Sequence, residues 1–466
     1  MVDFVRNEQN HTFLRAMLDC KYFTTLYKMG VFNWGYGFVS LGCSKNLVDT
    51  EMMIGLFKKN KFDIVANPED ADIIIVNTCG FIDSAKKEAI DTLLEMAEYK
   101  KYNCKLLVAT GCLVQRYKEE LKKELPEVDL FISLNEYDEL YEKVEELIDE
   151  KPIKNQTLSY FDREITTNGY YAYLKIAEGC SNNCTYCAIP KIRGPYVSRD
   201  FDEIVKEAKG LSDKGCQEII VIAQDTTKYG VDLYGKPRLA ELLKELCKMN
   251  FTWVRFLYAY PESVTDELIQ TMKEEPKICN YFDMPIQHIS DRVLKRMARK
   301  TTGKEIKEKI AKIRKEIPDV TMRTTLIAGF PGETEEEFNE LREFVKEAKF
   351  DRLGCFAYSK EDGTPAVKLD GHLPQSIKNK RAKEIMKLQQ KISKENNEKL
   401  IGEKLKVLVE NITEDGKYYV TRSYREVPED TDGVIYVTNN KDITIGDFYD
   451  IRIIEALDYD LIGVLL

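Results

Sequence analysis

The sequence predicts an α/β chain in three parts. These are an N-terminal parallel α/β domain, a central partial TIM-like barrel, and a small antiparallel β-barrel of OB-like form at the C-terminus. Three observations carry this. The chain has 466 residues, room for about three domains of ordinary size. From about residue 35 to 395, short apolar runs alternate with amphipathic stretches, the pattern of parallel strands joined by crossover helices. The last 66 residues change to short strands with turns between them, which suits a five-stranded barrel.

Taken in order, residues 1–34 show no period and no usable motif. Met29 stands just before the first strand-like run, so the segment reads as an upstream extension and receives no role. In 35–150 the strands are Tyr36–Leu41, Asp72–Val76 and Lys105–Ala109. A helix after the first offers Leu47, Val48, Met52, Ile54 and Leu56 to a core, and Ala85–Lys100 is an amphipathic helix. Asp149–Thr167 is polar and reads as a linker. In 165–395 the strands are Tyr171–Ala177, Glu218–Ala223, Trp253–Tyr258, Tyr281–Pro285, Thr321–Ala328 and Arg352–Tyr358, with helices between. Six βα units suggest an open barrel. Gln375–Leu400 is a charged helix that reads as a bridge. In 400–466, Lys404–Glu410, Lys417–Arg422, Gly433–Thr438, Phe448–Ile454 and Leu461–Leu465 are strands, and Glu414-Asp415-Gly416 supplies a hairpin turn.

Composition narrows the class. Hydrophobic residues make up 43% and charged residues 32%, which supports real cores and argues against wholesale disorder. With 69 basic and 79 acidic residues the net charge is −10, against a protein built to coat nucleic acid. No apolar run approaches the roughly 20 residues that span a bilayer. The first residues lack a basic-then-apolar signal pattern. A soluble cytoplasmic protein with no membrane partner is expected. Twelve Cys are too few for a disulfide scaffold, and in a reducing compartment clustered Cys point to metal or catalysis. His11, His288 and His372 are far apart, so a His-rich metal site is not expected.

The first constellation is Cys180-Ser-Asn-Asn-Cys184-Thr-Tyr-Cys187, directly after a strand. Three thiolates in one loop suit a four-iron cluster with one iron left open. Zinc wants four closed ligands, and no fourth lies nearby in sequence, although His288 could fold over as one. The second constellation is Cys43, Cys79 and Cys112. Each lies in a loop after an apolar strand, with Gly42, Gly80 and Gly111 beside them. In a parallel sheet all strand C-terminal ends share one edge, so these three become neighbours. The alternative is three buried structural thiols. Cys20, Cys104, Cys216, Cys247, Cys279 and Cys355 have no partner at ligand spacing.

The C-x3-C-x-aromatic-C loop on the first strand of a βα barrel resembles the radical S-adenosylmethionine (SAM) enzymes. The resemblance implies that the open iron binds the methionyl part of SAM and that reduction yields a 5′-deoxyadenosyl radical. It would put Tyr186 near the adenine, with ordinary loop packing as the alternative. Gln224, in Ala223-Gln-Asp-Thr-Thr-Lys-Tyr-Gly230, belongs to a cofactor-contacting loop. Gly329 and Gly332, in Thr325-Leu-Ile-Ala-Gly-Phe-Pro-Gly-Glu333, would let backbone approach the adenosyl group, although a plain strand-to-helix turn explains them as well. Gln287 and His288 read as packing behind the site.

Both constellations together resemble the methylthiotransferases, over about residues 36 to 466. The motifs are Leu41-Gly-Cys-Ser-Lys-Asn-Leu-Val-Asp49, Asn77-Thr-Cys-Gly-Phe81, Thr110-Gly-Cys-Leu113 and Ala177-Glu-Gly-Cys180. The resemblance implies two [4Fe-4S] clusters, one on Cys180, Cys184 and Cys187 and one on Cys43, Cys79 and Cys112. The first makes the radical and the second carries the sulfur, and the methyl group comes from another SAM. It also implies a radical SAM barrel at 165–395 and a TRAM-like barrel at 400–466. The target is an unactivated C–H, so no acid–base residue is demanded and none is named as catalytic.

Charge and finer motifs select the substrate. Residues 401–466 hold 14 Asp/Glu against 7 Lys/Arg, so most of the net acidity lies in the C-terminal barrel. An RNA-binding OB-like barrel should be basic and aromatic. This one has Tyr418, Tyr419, Tyr424, Tyr436, Phe448, Tyr449 and Tyr459 but the wrong sign, so it would attract a basic protein. A solvated acidic face that binds nothing is the bland alternative. Ala188-Ile-Pro-Lys-Ile-Arg-Gly194 and Phe356-Ala-Tyr-Ser-Lys-Glu-Asp-Gly-Thr-Pro365 are similar to the RimO branch. That branch modifies the β-carbon of one aspartate in small-subunit ribosomal protein uS12. Departures are Lys191, more often apolar in the branch, and the extra N-terminal segment. A tRNA adenosine methylthiotransferase is the main alternative, with tRNA disfavoured as partner by the charge. A zinc-stabilised binding scaffold without catalysis is the alternative from another class. A flavodoxin- or ferredoxin-type reductant is expected.

Overall fold

A computed structural model describes residues 34–60, 62–148, 156–429, 431–439 and 443–466. Residues 1–33 of the expected extension, with His11 and Cys20, lie outside the described residues, as do 149–155 of the expected linker. The chain divides into two compact units. One is Met1–Gly169 with Ala188–Pro195, and the other is Tyr170–Cys187 with Tyr196–Leu466.

The first unit holds strands β1 (Gly35–Ser40), β2 (Asp63–Ile64), β3 (Ile73–Thr78), β4 (Leu106–Gly111) and β5 (Leu130–Ile132). Its helices are α1 (Ser44–Lys59), α2 (Asp83–Ala97), α3 (Cys112–Glu124), α4 (Leu140–Leu147) and α5 (Ile189–Arg193). The sheet order is β2-β1-β3-β4-β5, and every pair is parallel. β3 and β4 are buried at every position, as a sheet covered on both faces requires. Alternate side chains feed two cores. Ile74 and Val76 pack with Leu93, Met96 and Leu113, while Ile73 and Ile75 pack with Phe57 and Tyr141. The strands β2 and β5 were not expected from sequence; they are two and three residues long, too short to show a period.

Helix α1 is buried from Lys45 through Phe57. Residues after 156, expected as linker, lie along it as a strap. A Cβ on Gly55 would stand 2.1 Å from the Asp162 carbonyl oxygen. Arg163 pairs with Glu51 at 3.0 Å, both side chains buried, and Thr166 donates to the same carboxylate. The polar composition of this segment reflects those partners.

The second unit begins with β6 (Tyr171–Lys175), β7 (Ala177–Glu178), β8 (Val197–Ser198), β9 (Glu218–Ile222), β10 (Trp253–Phe256), β11 (Tyr281–Asp283), β12 (Thr321–Ala328) and β13 (Arg352–Ala357). Its helices are α6 (Phe201–Asp213), α7 (Val231–Tyr234), α8 (Leu239–Cys247), α9 (Asp266–Glu274), α10 (Asp291–Arg296), α11 (Gly303–Glu316), α12 (Glu335–Ala348) and α13 (Gln375–Glu398). Two parallel sheets, β10-β9-β6 and β11-β12-β13, are linked by the Val254–Ile278 bridge. They form a six-stranded partial barrel. Helix α13, expected as a bridge, touches both barrels: Gln389 donates to the Phe350 carbonyl and buried Arg381 pairs with Glu333 at 2.6 Å on the partial barrel, while Gln390 donates to Asp458 of the small barrel at 2.8 Å.

Strands β14 (Lys404–Ile412), β15 (Tyr418–Ser423), β16 (Ile435–Thr438), β17 (Phe448–Ala456) and β18 (Leu461–Leu465) close a barrel in the order β14-β15-β16-β18-β17. One pair departs from the expected antiparallel pattern: β16 and β18 are parallel, because the chain leaves β16 and returns through β17. Val407, Val409, Ile435, Val437, Ile451 and Ile453 fill the interior. This barrel sits on the N-terminal rim of the larger one. Arg422 of β15 pairs with Glu218, which begins β9. Phe448 stacks edge-on against Trp253 at the start of β10, and Arg323 reaches Asp432 at 3.2 Å. The opposite, C-terminal rim of the partial barrel carries the Cys180 loop.

Candidate cluster-binding sites

Strand order decides the first trio. β1, β3 and β4 are neighbours in the sheet, and Cys43, Cys79 and Cys112 follow their C-terminal ends. The thiols are close enough to repel one another as thiolates. Burial pushes the Cys79 thiol well up, and Cys112 and Cys43 push it further. Burial likewise raises Cys112, with Cys43 adding to it and Arg193 opposing. The loop reading of these residues is corrected in detail. Cys43 is the N-cap of α1 and Cys112 is the first residue of α3. Gly111, at φ +96°, turns strand directly into helix. The backbone N–H groups and dipole of a helix start favour an anionic sulfur.

Gly42 is required here. Its φ is +92°, and a Cβ would stand 2.9 Å from the Cys79 sulfur. Asn46, fully buried, ties the edge together. Its Nδ2 donates to the Leu41 carbonyl at 2.9 Å and the Thr78 carbonyl at 3.1 Å. Its Oδ1 faces the Cys112 sulfur at 3.5 Å. One side chain thus braces the approach to all three cysteines. Arg193 completes the surround, paired with Asp49 at 2.8 Å with both side chains buried. Asn46, Asp49 and Arg193 were not singled out from sequence. The signal available for Asn46 and Asp49 was a run of polar residues in a helix otherwise rich in apolar ones; Arg193, in the separate short helix α5, had no such signal.

The second trio lies in the loop after β7. Cys180 and Cys184 are buried and Cys187 half-buried. Burial raises the Cys180 thiol, and Cys184 adds to it. The Cys187 amide donates to the Cys184 carbonyl at 3.0 Å. The loop is braced from neighbouring strand ends. Asn182 donates to Asp225 at 2.8 Å, and Thr185 donates to the Arg296 carbonyl.

Tyr186 packs edge-on against Phe330, which meets Tyr358. Gln224 donates to Glu178 at 3.2 Å, and its Oε1 has no hydrogen-bond partner. Gly329 and Gly332 have positive φ and packing reasons of their own. A Cβ on Gly329 would meet Lys378 of α13 at 2.4 Å, and one on Gly332 would meet the Arg296 guanidinium at 3.0 Å. His288 is turned from the cysteines: its Nδ1 accepts from the Ser290 amide and its Nε2 faces Glu333 at 3.4 Å.

Sequence reading missed Arg299. Its side chain is fully buried beside Cys184, Tyr186 and Tyr260, over the Tyr260 ring at 4.3 Å. One nitrogen reaches Glu262 at 3.3 Å, while Nε and Nη1 have no hydrogen-bond partner. A buried cation with free donors suits an anionic guest.

Among the described residues, no three His, Cys, Asp or Glu side chains gather as one metal ion would require. A four-iron cluster takes each thiolate on a different iron, so it asks for wider spacing than a mononuclear zinc site. Both trios fit the cluster by residue type, by number and by their position at strand C-terminal ends.

The chain matches the radical SAM superfamily over residues 174–345, the uncharacterised protein family UPF0004 over 36–133, and the TRAM domain over 401–466. It is 59% identical over 431 residues to the ribosomal protein uS12 methylthiotransferase RimO of Alkaliphilus oremlandii, covering 92% of this chain and 98% of that one. Identity to the RimO of Clostridioides difficile is 52% over 439 residues, again 92% and 98% of the two chains. The chain belongs to the RimO family. As a RimO-family radical SAM protein it uses SAM and [4Fe-4S] clusters. Among solved structures it resembles the radical SAM methyltransferase TsrM of Kitasatospora setae, with TM-score 0.53 and 11% identity over 71% of this chain and 75% of that one. That likeness concerns the fold. Among the described residues no helix is long and apolar enough to cross a membrane.

Proposed function

We propose that this chain is a radical SAM methylthiotransferase that places a methylthio group on the β-carbon of an aspartate in ribosomal protein uS12. The observation that carries the proposal is the second trio, Cys43, Cys79 and Cys112, gathered on one sheet edge in addition to the Cys180 loop. When bound, the two clusters supply one-electron chemistry with SAM and a source of sulfur. That chemistry is needed because an aspartate β-carbon is too weakly acidic for a side-chain base near neutral pH.

The chain's own residues bind and align. Cys180, Cys184 and Cys187 hold the first cluster, and Cys43, Cys79 and Cys112 hold the second. Arg299 offers its free donors to the carboxylate of the amino-acid part of SAM. Gln224 offers a free Oε1, Tyr186 an aromatic wall and the Gly329–Gly332 turn its backbone. Under this reading 35–150 is the sulfur-carrying domain, 165–395 the radical-forming domain and 400–466 the domain that meets substrate. Two of the small barrel's cations turn inward: Arg422 pairs with Glu218 and Arg425 with Asp351. They are not free for phosphates, which favours a basic protein over tRNA. A flavodoxin- or ferredoxin-type protein supplies electrons.

The test is anaerobic turnover with uS12 and, separately, tRNA, followed by mass spectrometry. One added methylthio group on a uS12 aspartate with unmodified tRNA is expected. Methylthiolated tRNA with unchanged uS12 overturns the substrate assignment.

A further inference from the structure

Arg193 is used by nothing in the proposed reaction, yet it is buried beside a proposed cluster ligand. It follows the Cys180 loop in sequence but belongs to the first unit. Ala188 and Ile192 pack with Cys112 in one small apolar cluster. That packing brings the guanidinium inward. Its Nη1 pairs with Asp49 at 2.8 Å, with both side chains only 3% exposed. Its Nη2 donates to the Asn46 Oδ1 at 2.5 Å and lies 3.6 Å from the Cys112 sulfur. Asn46 is itself fixed by the Leu41 and Thr78 carbonyls, so the fork has one orientation.

We propose that Arg193 is a positioning and tuning residue of the second cluster, donating a charged hydrogen bond to the Cys112 sulfur and raising the cluster's reduction potential. The inference rests on the assignment of Cys43, Cys79 and Cys112 as ligands. Its basis is general. Hydrogen bonds to ligand sulfurs and nearby charge set iron–sulfur potentials. One-electron reduction adds a negative charge, which a buried guanidinium favours more than an exposed one would. Asp49 cancels part of that charge. What remains is directional: the N–H aims at sulfur while the carboxylate sits on the other nitrogen. Lysine keeps the charge but lacks the fork that serves Asp49, Asn46 and Cys112 at once.

The experiment uses the full chain with Cys180, Cys184 and Cys187 replaced by Ala, so that only the second cluster can bind. Iron and labile sulfide are counted, and the midpoint potential is read by redox titration followed by electron paramagnetic resonance. If this parent binds no iron, the ligand assignment itself has failed, an outcome separate from the rest. With a loaded parent, Arg193→Met is expected to shift the midpoint to more negative potential, and Arg193→Lys to shift it less. An unshifted midpoint in a loaded Arg193→Met chain overturns the proposal. If Arg193→Met does not load, Arg193→Lys decides: a more negative midpoint supports the proposal and an unchanged one overturns it. Failure of both variants to load also overturns it, since Arg193 would then be a structural ion pair only.

Discussion

At the residue scale, the two trios are separable by single substitutions. Cys184→Ala is expected to abolish SAM cleavage, read as loss of 5′-deoxyadenosine, whereas Cys79→Ala should spare cleavage and stop methylthiolation. A subtler test leaves every cysteine in place. Gly42→Ala puts a methyl group 2.9 Å from the Cys79 sulfur at a φ of +92°, a conformation that disfavours any Cβ. The expected product binds about half the iron and sulfide of the parent chain and still cleaves SAM. Arg299→Met removes the free donors beside Cys184, and is expected to weaken SAM binding about 10- to 100-fold, the worth of a charged hydrogen bond. Equilibrium dialysis of the iron-loaded protein measures it. The position of the cysteines at strand ends was legible in sequence because strand ends are local patterns. Asn46, Arg193 and Arg299 were not, because each acquires its meaning from partners in other segments. Asn46 and Thr78 are 32 positions apart, and Arg193 and Cys112 are 81 apart.

At the element scale, strands buried on both faces were the readable part. The Ile73–Thr78 and Leu106–Gly111 runs are apolar, short and followed by turn residues. The strap over α1 was unreadable, since its polar residues find their partners on a helix about a hundred positions earlier. That strap makes a stability prediction. Glu51→Gln leaves Arg163 buried without its counter-charge and is expected to cost about 3–5 kcal/mol, measured by denaturant unfolding. A second prediction concerns α2. Burial pushes the Glu88 carboxyl up to about 7. The folded state therefore holds its proton where the unfolded chain has released it. The stability that goes with this is full below the ordinary carboxylate pKa and falls as pH rises through about 7. Glu88→Gln should flatten that slope in the iron-free chain, seen as a smaller loss of Tm between acid and neutral pH.

At the scale of the whole molecule, the second unit presents opposite ends to different tasks. Strand C-terminal ends carry the Cys180 loop, Gln224, Gln287 and the Gly329 turn. Strand N-terminal ends are covered by the small barrel through buried ion pairs. Glu218 is the centre of that joint. It receives Arg255 from within the partial barrel at 2.8 Å and Arg422 from the small barrel, with all three side chains at 1% exposure or less. Arg255 also donates to the Tyr424 carbonyl at 2.8 Å, so one guanidinium spans the joint. Such pairs fix geometry more than they add net stability, but removing the shared anion leaves two buried cations facing each other. Glu218→Gln is therefore expected to cost about 3–5 kcal/mol and to loosen the small barrel first, because the anion that Arg422 keeps, Glu410, belongs to its own barrel. Limited proteolysis should then release a fragment near residue 400 from a chain that keeps its iron. If the chain resists proteolysis as the parent does, Glu218 is not the centre of the joint, which is then held by the Trp253–Phe448 contact and the remaining Arg323–Asp432 and Arg425–Asp351 pairs.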